Sequence, residues 1–173
     1  MPGAPLIIIV AAMTRNHVIG KDNRIPWHID EETRHYRNLV EGKTLLMGRA
    51  TFDLMKHPYA HGHDIVVTHS KINHKAADVC GSVDEALKKA KEYGPDVFVI
   101  GGQSIYEQTI GIADMILLSY IKKDYEGNKF FPEFSKAEWR EASVEEFTDF
   151  TYAVYIRKKK LGSQHTVSDI PRR

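Results

Sequence analysis

The sequence predicts a single α/β domain built on a mostly parallel sheet, and three observations carry that prediction. The run Leu6-Ile7-Ile8-Ile9-Val10-Ala11-Ala12 is continuously apolar and largely β-branched, the pattern of a strand buried on both faces. Further short apolar runs alternate with helix-like stretches at intervals suited to βα units. Two of these runs stop at glycine directly before a helix, in Met47-Gly48-Arg49-Ala50-Thr51 and in Ile100-Gly101-Gly102-Gln103-Ser104-Ile105-Tyr106.

The first strand covers residues 6–12. Behind it come Val18-Ile19-Gly20 and Ile25-Pro26-Trp27, then the carboxylates Glu31 and Glu32. Asp30 is the natural N-cap of a helix over 30–40, which Gly42 ends. Residues 43–47 are a second buried strand, and a helix from about Arg49 reaches about Met55. A loop over 58–62 leads to a third strand, 64–68. Ser82-Val83-Asp84-Glu85 is a capping box, with Ser82 as N-cap and Glu85 reaching back, and its helix stops at Gly94-Pro95. A fourth strand follows over 96–100, a short helix over 104–110 and a fifth strand over 114–121. Residues 150–158 alternate enough for an edge or antiparallel strand. No repeat or low-complexity block interrupts the order. Residues 1–160 form the expected domain and 161–173 a polar, flexible tail.

Composition narrows the function. At 173 residues, 42% hydrophobic and 27% charged, the chain can bury one sizeable core. A net charge of +1 gives no reason to expect nucleic acid or an anionic membrane as partner. The longest apolar run, residues 6–13, falls far short of the ~20 residues of a membrane span, and no basic stretch precedes it as in a signal peptide. A lone cysteine, Cys80, excludes an internal disulfide framework and fits a reducing cytosol. A cytoplasmic monomer is expected. His57, His61 and His63 share a loop without carboxylate spacing, so no metal site is expected.

The strand-to-helix turns at Gly48 and at Gly101-Gly102 resemble anion sites, because unpaired N–H groups at a helix start attract phosphate and glycine lets it approach. Arg49 adds charge and Thr51 a hydroxyl. Each turn alone also reads as a simple tight turn; their pairing suits a dinucleotide's pyrophosphate. Thr68-His69-Ser70-Lys71, after the third strand, could hold a ribose phosphate and favour NADP over NAD, or be a solvated turn. Glu32 lies in a first helical turn, where the helix dipole favours a carboxylate, and Tyr36 shares its face. With Trp27 as an apolar wall, its pKa should rise toward the range useful for proton exchange.

Taken together, Val10-Ala11-Ala12, Val18-Ile19-Gly20, Ile25-Pro26-Trp27, Leu46-Met47-Gly48-Arg49-Ala50-Thr51-Phe52, Ile100-Gly101-Gly102 with Ser104-Ile105-Tyr106, and Glu126-Gly127 before Phe131-Pro132 resemble the dihydrofolate reductase family over residues 6–158. The resemblance implies an eight-stranded, mainly parallel sheet with an antiparallel C-terminal edge strand and four helices. It also implies NADPH-dependent reduction of 7,8-dihydrofolate to tetrahydrofolate. Glu32, Trp27 and Ser119 would then be the catalytic set: Glu32 on the pterin amino group and N3, Trp27 holding a water, Ser119 supporting the carboxylate. Val10, Ala11, Ile25, Thr33, Tyr36, Met55, Ile100 and Tyr106 would line the substrate site. Ala12, Ile19 and Gly20 would meet the nicotinamide, with 19–24 as a mobile lid. Gly48, Arg49, Ala50, Thr51, Val67, Thr68, His69, Ser70, Ile100, Gly101, Gly102, Gln103, Ser104, Ile105, Tyr106 and Gln108 would hold the rest of NADPH.

The chain departs from the family pattern at one important place. An arginine that grips the substrate's glutamate tail stands shortly before the third strand in the family, but Pro58-Tyr59-Ala60-His61-Gly62-His63-Asp64 contains none. Arg34, Arg37, His61 or His63 is the expected substitute, unless the substrate is a pterin lacking that tail. Ala50 and Gln103 occupy variable positions, and Asn128 stands where an acid often follows Glu-Gly. Two further readings remain open: a reductase of the same fold acting on a riboflavin precursor, and an idle nucleotide-binding module.

Overall fold

The computed structural model describes residues 6–55, 62–71 and 77–158. The element order is β1 (Leu6–Thr14), β2 (Val18–Gly20), α1 (Asp30–Val40), β3 (Thr44–Gly48), α2 (Arg49–Leu54), β4 (His63–Val67), β5 (Ala77–Cys80), α3 (Val83–Lys91), β6 (Asp96–Val99), α4 (Gln103–Thr109), β7 (Met115–Ile121), β8 (Lys129–Phe130), β9 (Trp139–Glu146) and β10 (Phe150–Arg157). The expected tail lies outside the described residues, as does most of the loop over 58–62.

Eight strands form one sheet in the order β5-β4-β3-β6-β1-β7-β10-β9, and β2 with β8 makes a separate two-stranded ribbon. Strands β1 and β3 to β7 run parallel, as continuous apolar strands require. Strand β10 is antiparallel to β7 and to β9. The C-terminal strand is therefore antiparallel as expected, but β9 pairs outside it and takes the edge.

Alternation along the strands divides the core in two. Ile8, Val10, Leu45, Met47, Val66, Phe98, Ile100 and Leu117 pack on one face with Leu39 and Val40 of α1. Ile9, Leu46, Ile65, Val99, Ile116 and Leu118 pack on the other with Val83, Ala86 and Ala90 of α3 and Ile105 of α4. Ile8 and Ile9 are both fully buried, which is why β1 reads as an unbroken apolar run.

Two helix starts differ in detail from expectation. The capping box at α3 forms, with Ser82 Oγ accepting from the Glu85 N–H at 3.1 Å, but Glu85 Oε2 accepts from Gly81 rather than Ser82, at 2.9 Å. At α1 the N-cap is Ile29 and no side chain caps it; Asp30 is already helical, and its carboxylate instead meets His28 Nε2 at 3.0 Å. The helix takes Ile29 as its N-cap, so Asp30 stands one position past the place from which its side chain could cap.

Candidate active site

The parallel order sets β3, β6 and β1 side by side with their carboxyl ends together. The order reverses here, because β6 returns between strands already laid down and β7 continues on the far side of β1. Such a switch point opens a crevice at the strand ends. Both glycine turns lie at it. The Gly48 N–H donates to Gly101 O at 2.8 Å, and the Ile100 N–H to Leu46 O at 3.0 Å, so the two turns are joined directly.

These glycines are required by what surrounds them. A Cβ on Gly101, whose φ is +110°, would lie 3.0 Å from the Tyr106 ring, and one on Gly48 would lie 3.2 Å from Ile105 Cγ1. The Gly101–Gly102 peptide is cis. Around this cradle stand Arg49, Thr51 and Ser104, the donor types that suit a phosphorylated nucleotide. Arg49 Nε donates to both Asp53 oxygens, at 2.9 and 3.1 Å. Thr68 leaves the end of β4, and its Oγ1 accepts from the Ser70 N–H at 3.1 Å, with His69 and Ser70 exposed beside it. Gln108 donates to Ser104 Oγ at 3.0 Å one turn along α4. Ala50 is exposed at the start of α2, whereas Val67 and Ile105 pack in the core of the α3 face.

Glu32 lies on the inner side of α1 and is 9% exposed. Among the described residues no hydrogen bond or ion pair holds its carboxylate, and burial alone raises its pKa from 4.5 to about 7. Its charge reaches Tyr106, whose hydroxyl is pushed up first by burial and then by Glu32. That hydroxyl donates to Val10 O at 2.8 Å, and the Tyr106 ring underlies Gly101. The acid and the glycine cradle are therefore neighbours.

Trp27, buried, belongs to the same apolar cluster as Val10 and Ile100, with Ala12, Ile29, Tyr36, Phe52 and Met55 partly buried against it. The Trp27 ring lies 5.8 Å from Tyr125. Ser119 is buried on β7 between Ala12 of β1 and Tyr152 of β10. Alternation puts it on the α1 face, but no hydrogen bond joins it to Glu32.

Three expected lining residues sit differently. The Ala11 side chain packs on the α3 face, so only its backbone can border the crevice. Tyr106 likewise packs on that face and reaches the crevice through its hydroxyl. Ile25, 57% exposed, lines an open groove of about 920 Å³ with Lys21, Asp22, Arg24, Pro26 and residues 123–126, a lining that does not include Glu32. Thr33 is exposed on α1, its Oγ1 donating to Ile29 O at 3.1 Å.

Of the four candidates for the missing arginine, His61 lies outside the described residues. His63 stacks on Tyr93 at 3.8 Å, and strand alternation puts it on the α3 face, opposite the face that holds Glu32. Arg34 and Arg37 lie three residues apart on α1, both exposed. Arg34 lines a depression with His28, Lys123 and Asp149. Arg37 shares the helix face of Thr33, four residues before it.

The lid segment is pinned in a way that sequence reading missed. The Asn128 N–H donates to Gly20 O at 3.0 Å, Asn128 Oδ1 accepts from the Asp22 N–H at 3.1 Å, and Asn128 Nδ2 donates to Asp22 Oδ1 at 3.1 Å. Phe52 is a second omission, signalled by its i+3 spacing to Met55, which follows the last residue of α2. Among the described residues no cluster of histidine, cysteine or carboxylate could hold a metal ion, and no helix is long and apolar enough to cross a membrane.

Comparison with known proteins agrees with this geometry. The family profile described as Dihydrofolate reductase matches residues 6–158. Dihydrofolate reductase of Bacillus subtilis strain 168 is 31% identical over 162 residues, covering 88% of this chain and 95% of that protein. Dihydrofolate reductase type 3 of Salmonella typhimurium is 33% identical over 137 residues, covering 79% and 84%. The structure of dihydrofolate reductase from Enterococcus faecalis complexed with NADP(H) and RAB-propyl superposes with a TM-score of 0.82 at 26% identity, covering 89% of this chain and 97% of that one.

Proposed function

The chain belongs to the dihydrofolate reductase family of NADPH-dependent oxidoreductases, and we propose that it reduces 7,8-dihydrofolate to 5,6,7,8-tetrahydrofolate. The observation that carries this reading is Glu32: a buried carboxyl with a pKa of about 7, beside a glycine cradle at a sheet switch point. NADPH, when held by the glycine turns, would supply the hydride for pterin C6, the proton for N5 coming from the Glu32 side of the crevice.

The protein's own groups do the rest. The cradle of Gly48, Gly101 and Gly102 accepts the diphosphate closely because no side chain intervenes, with Arg49, Thr51 and Ser104 as donors. Thr68, His69 and Ser70 border the ribose phosphate. Glu32 orients the pterin through its amino group and N3. A carboxyl that titrates near neutrality also exchanges a proton readily at working pH. Trp27 and the apolar cluster behind it exclude bulk water from that proton.

Arg37 is the proposed grip on the substrate's glutamate tail, because it is an exposed cation on α1, the helix that carries Glu32. The position before β4 cannot supply one: a Cβ on Gly62 would lie 2.6 Å from Lys43 O. Arg37→Ala should raise KM for dihydrofolate about tenfold, the size of one lost charged contact, and leave a tailless dihydropterin unaffected. Equal effects on both substrates would remove Arg37 from this role.

The reading as a whole is tested by NADPH oxidation with dihydrofolate, dihydropterin and flavin precursors, on the wild type and Glu32→Gln. Dihydrofolate turnover that collapses in the variant at neutral pH supports it. Turnover of dihydropterin or a flavin precursor alone, or cofactor binding without turnover, refutes it.

A further inference from the structure

Gln103 follows the second glycine turn and begins α4, yet its side chain reaches a distant part of the chain. Its Oε1 accepts from the Phe130 N–H at 2.8 Å. Its Nε2 donates to Glu107 Oε1 at 2.9 Å, which aims the oxygen at Phe130. Phe130 belongs to β8, whose strand partner is β2 in the separate ribbon.

The ribbon carries the lid. Val18 pairs with Phe130 and Gly20 with Lys129, and Asn128 pins Gly20 and Asp22 through three further hydrogen bonds. The two segments are pressed together: a Cβ on Gly127 would lie 2.3 Å from Val18 Cγ1 and 2.5 Å from Gly20 O. One unbroken path of contacts thus runs from the Gly101–Gly102 turn through Gln103, Phe130 and Asn128 to Asp22.

We propose that Gln103 is a positioning residue that fastens the lid ribbon to the glycine turn, so that filling the turn and closing the lid stabilise one another. The inference rests on the reading of that turn as part of the NADPH site. Coupling of this kind is reciprocal: a ligand that orders the turn orders the lid, and an ordered lid slows the ligand's departure.

Gln103→Met keeps the length and removes the acceptor. In the free protein it should speed hydrogen exchange at the Phe130 and Asp22 amides about tenfold, the effect of one lost hydrogen bond. NADPH should protect the Asp22 amide in the wild type and much less in this variant, and should dissociate from the variant about five- to tenfold faster. Exchanging the partners, Gln103→Glu with Glu107→Gln, keeps the acceptor for the Phe130 N–H and reverses only the donor and acceptor between 103 and 107, and should restore wild-type exchange and dissociation. Asn128→Ala breaks the same path at the lid end, so combining it with Gln103→Met should speed dissociation no more than either change alone.

Faster exchange at Phe130 alone, with Asp22 protection and NADPH dissociation unchanged, would mean a purely local bond and overturn the proposal. So would two dissociation factors that simply multiply. A wild-type chain that binds no NADPH would instead overturn the proposed function, and this inference with it.

Discussion

On the α3 side of the main sheet the described buried polar groups are threonines, and Thr109 satisfies itself by donating to Ile105 O at 2.8 Å on its own helix. The α1 side buries Glu32, His35, Asp64 and Ser119 among its apolar residues. Burying titratable groups costs stability, and a carboxyl without a partner costs most. One face of the sheet therefore stabilises the fold, while the other gives up stability to hold an acid beside the crevice. Tyr106 bridges the two: its ring packs on the α3 side and its hydroxyl meets Val10 and feels Glu32.

The sharpest way to break this contrast is Glu32→Gln. Dihydrofolate turnover at neutral pH should fall at least about 100-fold, the usual scale for a proton-transferring side chain. Stability should move the other way. The folded-state pKa of about 7 exceeds the ordinary 4.5, so the folded wild type binds the extra proton and is stabilised at low pH, losing that advantage as pH rises through 7. Above pH 7 the glutamine form should be more stable by up to about 3 kcal/mol, and below pH 4.5 the two should coincide. Urea unfolding across pH measures this; a gap that does not change with pH would mean that burial is not what raises Glu32.

The opposite face should give the opposite result. Leu46→Ala, at a fully buried position, should lower stability by about 3 kcal/mol while kcat per folded molecule stays at the wild-type value. A large loss of kcat would show that the division of labour between the faces is wrong.

Tyr106→Phe removes the one hydroxyl that spans both faces and leaves the buried Val10 carbonyl without that donor, at about 1–2 kcal/mol in chemical denaturation. The smallest effect lies farthest from the crevice. Ser82→Ala should cost about 1 kcal/mol through the α3 cap, with KM and kcat unaltered.

How much of this was legible follows burial. Strands β1, β3, β4, β6 and β7 have neighbours on both sides and helices over their faces, so their sequences are apolar runs that declare themselves. Strands β5 and β9 were not anticipated, and they are the two edges of the sheet. Their sequences, Ala-Asp-Val-Cys and Trp-Arg-Glu-Ala-Ser-Val-Glu-Glu, carry charge because an edge faces water, and charge masks the pattern. The two-residue β8 is too short to leave a period at all. The Ser82 capping box formed because its donors are local, whereas Asp30 is no cap because the helix begins one residue earlier than its side chain would suggest, with Ile29 as N-cap.

The site divides along the same line. By itself the sequence determined the glycine turns, the acid at the start of α1 and Trp27, because steric freedom, helix position and aromatic bulk are properties of a residue and its near neighbours. Only the tertiary structure decided that the two turns touch through Gly48 and Gly101, since that depends on β6 inserting between β3 and β1. It also decided where His63 and Arg34 sit, and how Gln103 and Asn128 reach Phe130 and Asp22. Those contacts join residues 27 and 106 positions apart, and long-range hydrogen bonds leave no periodic trace in a chain.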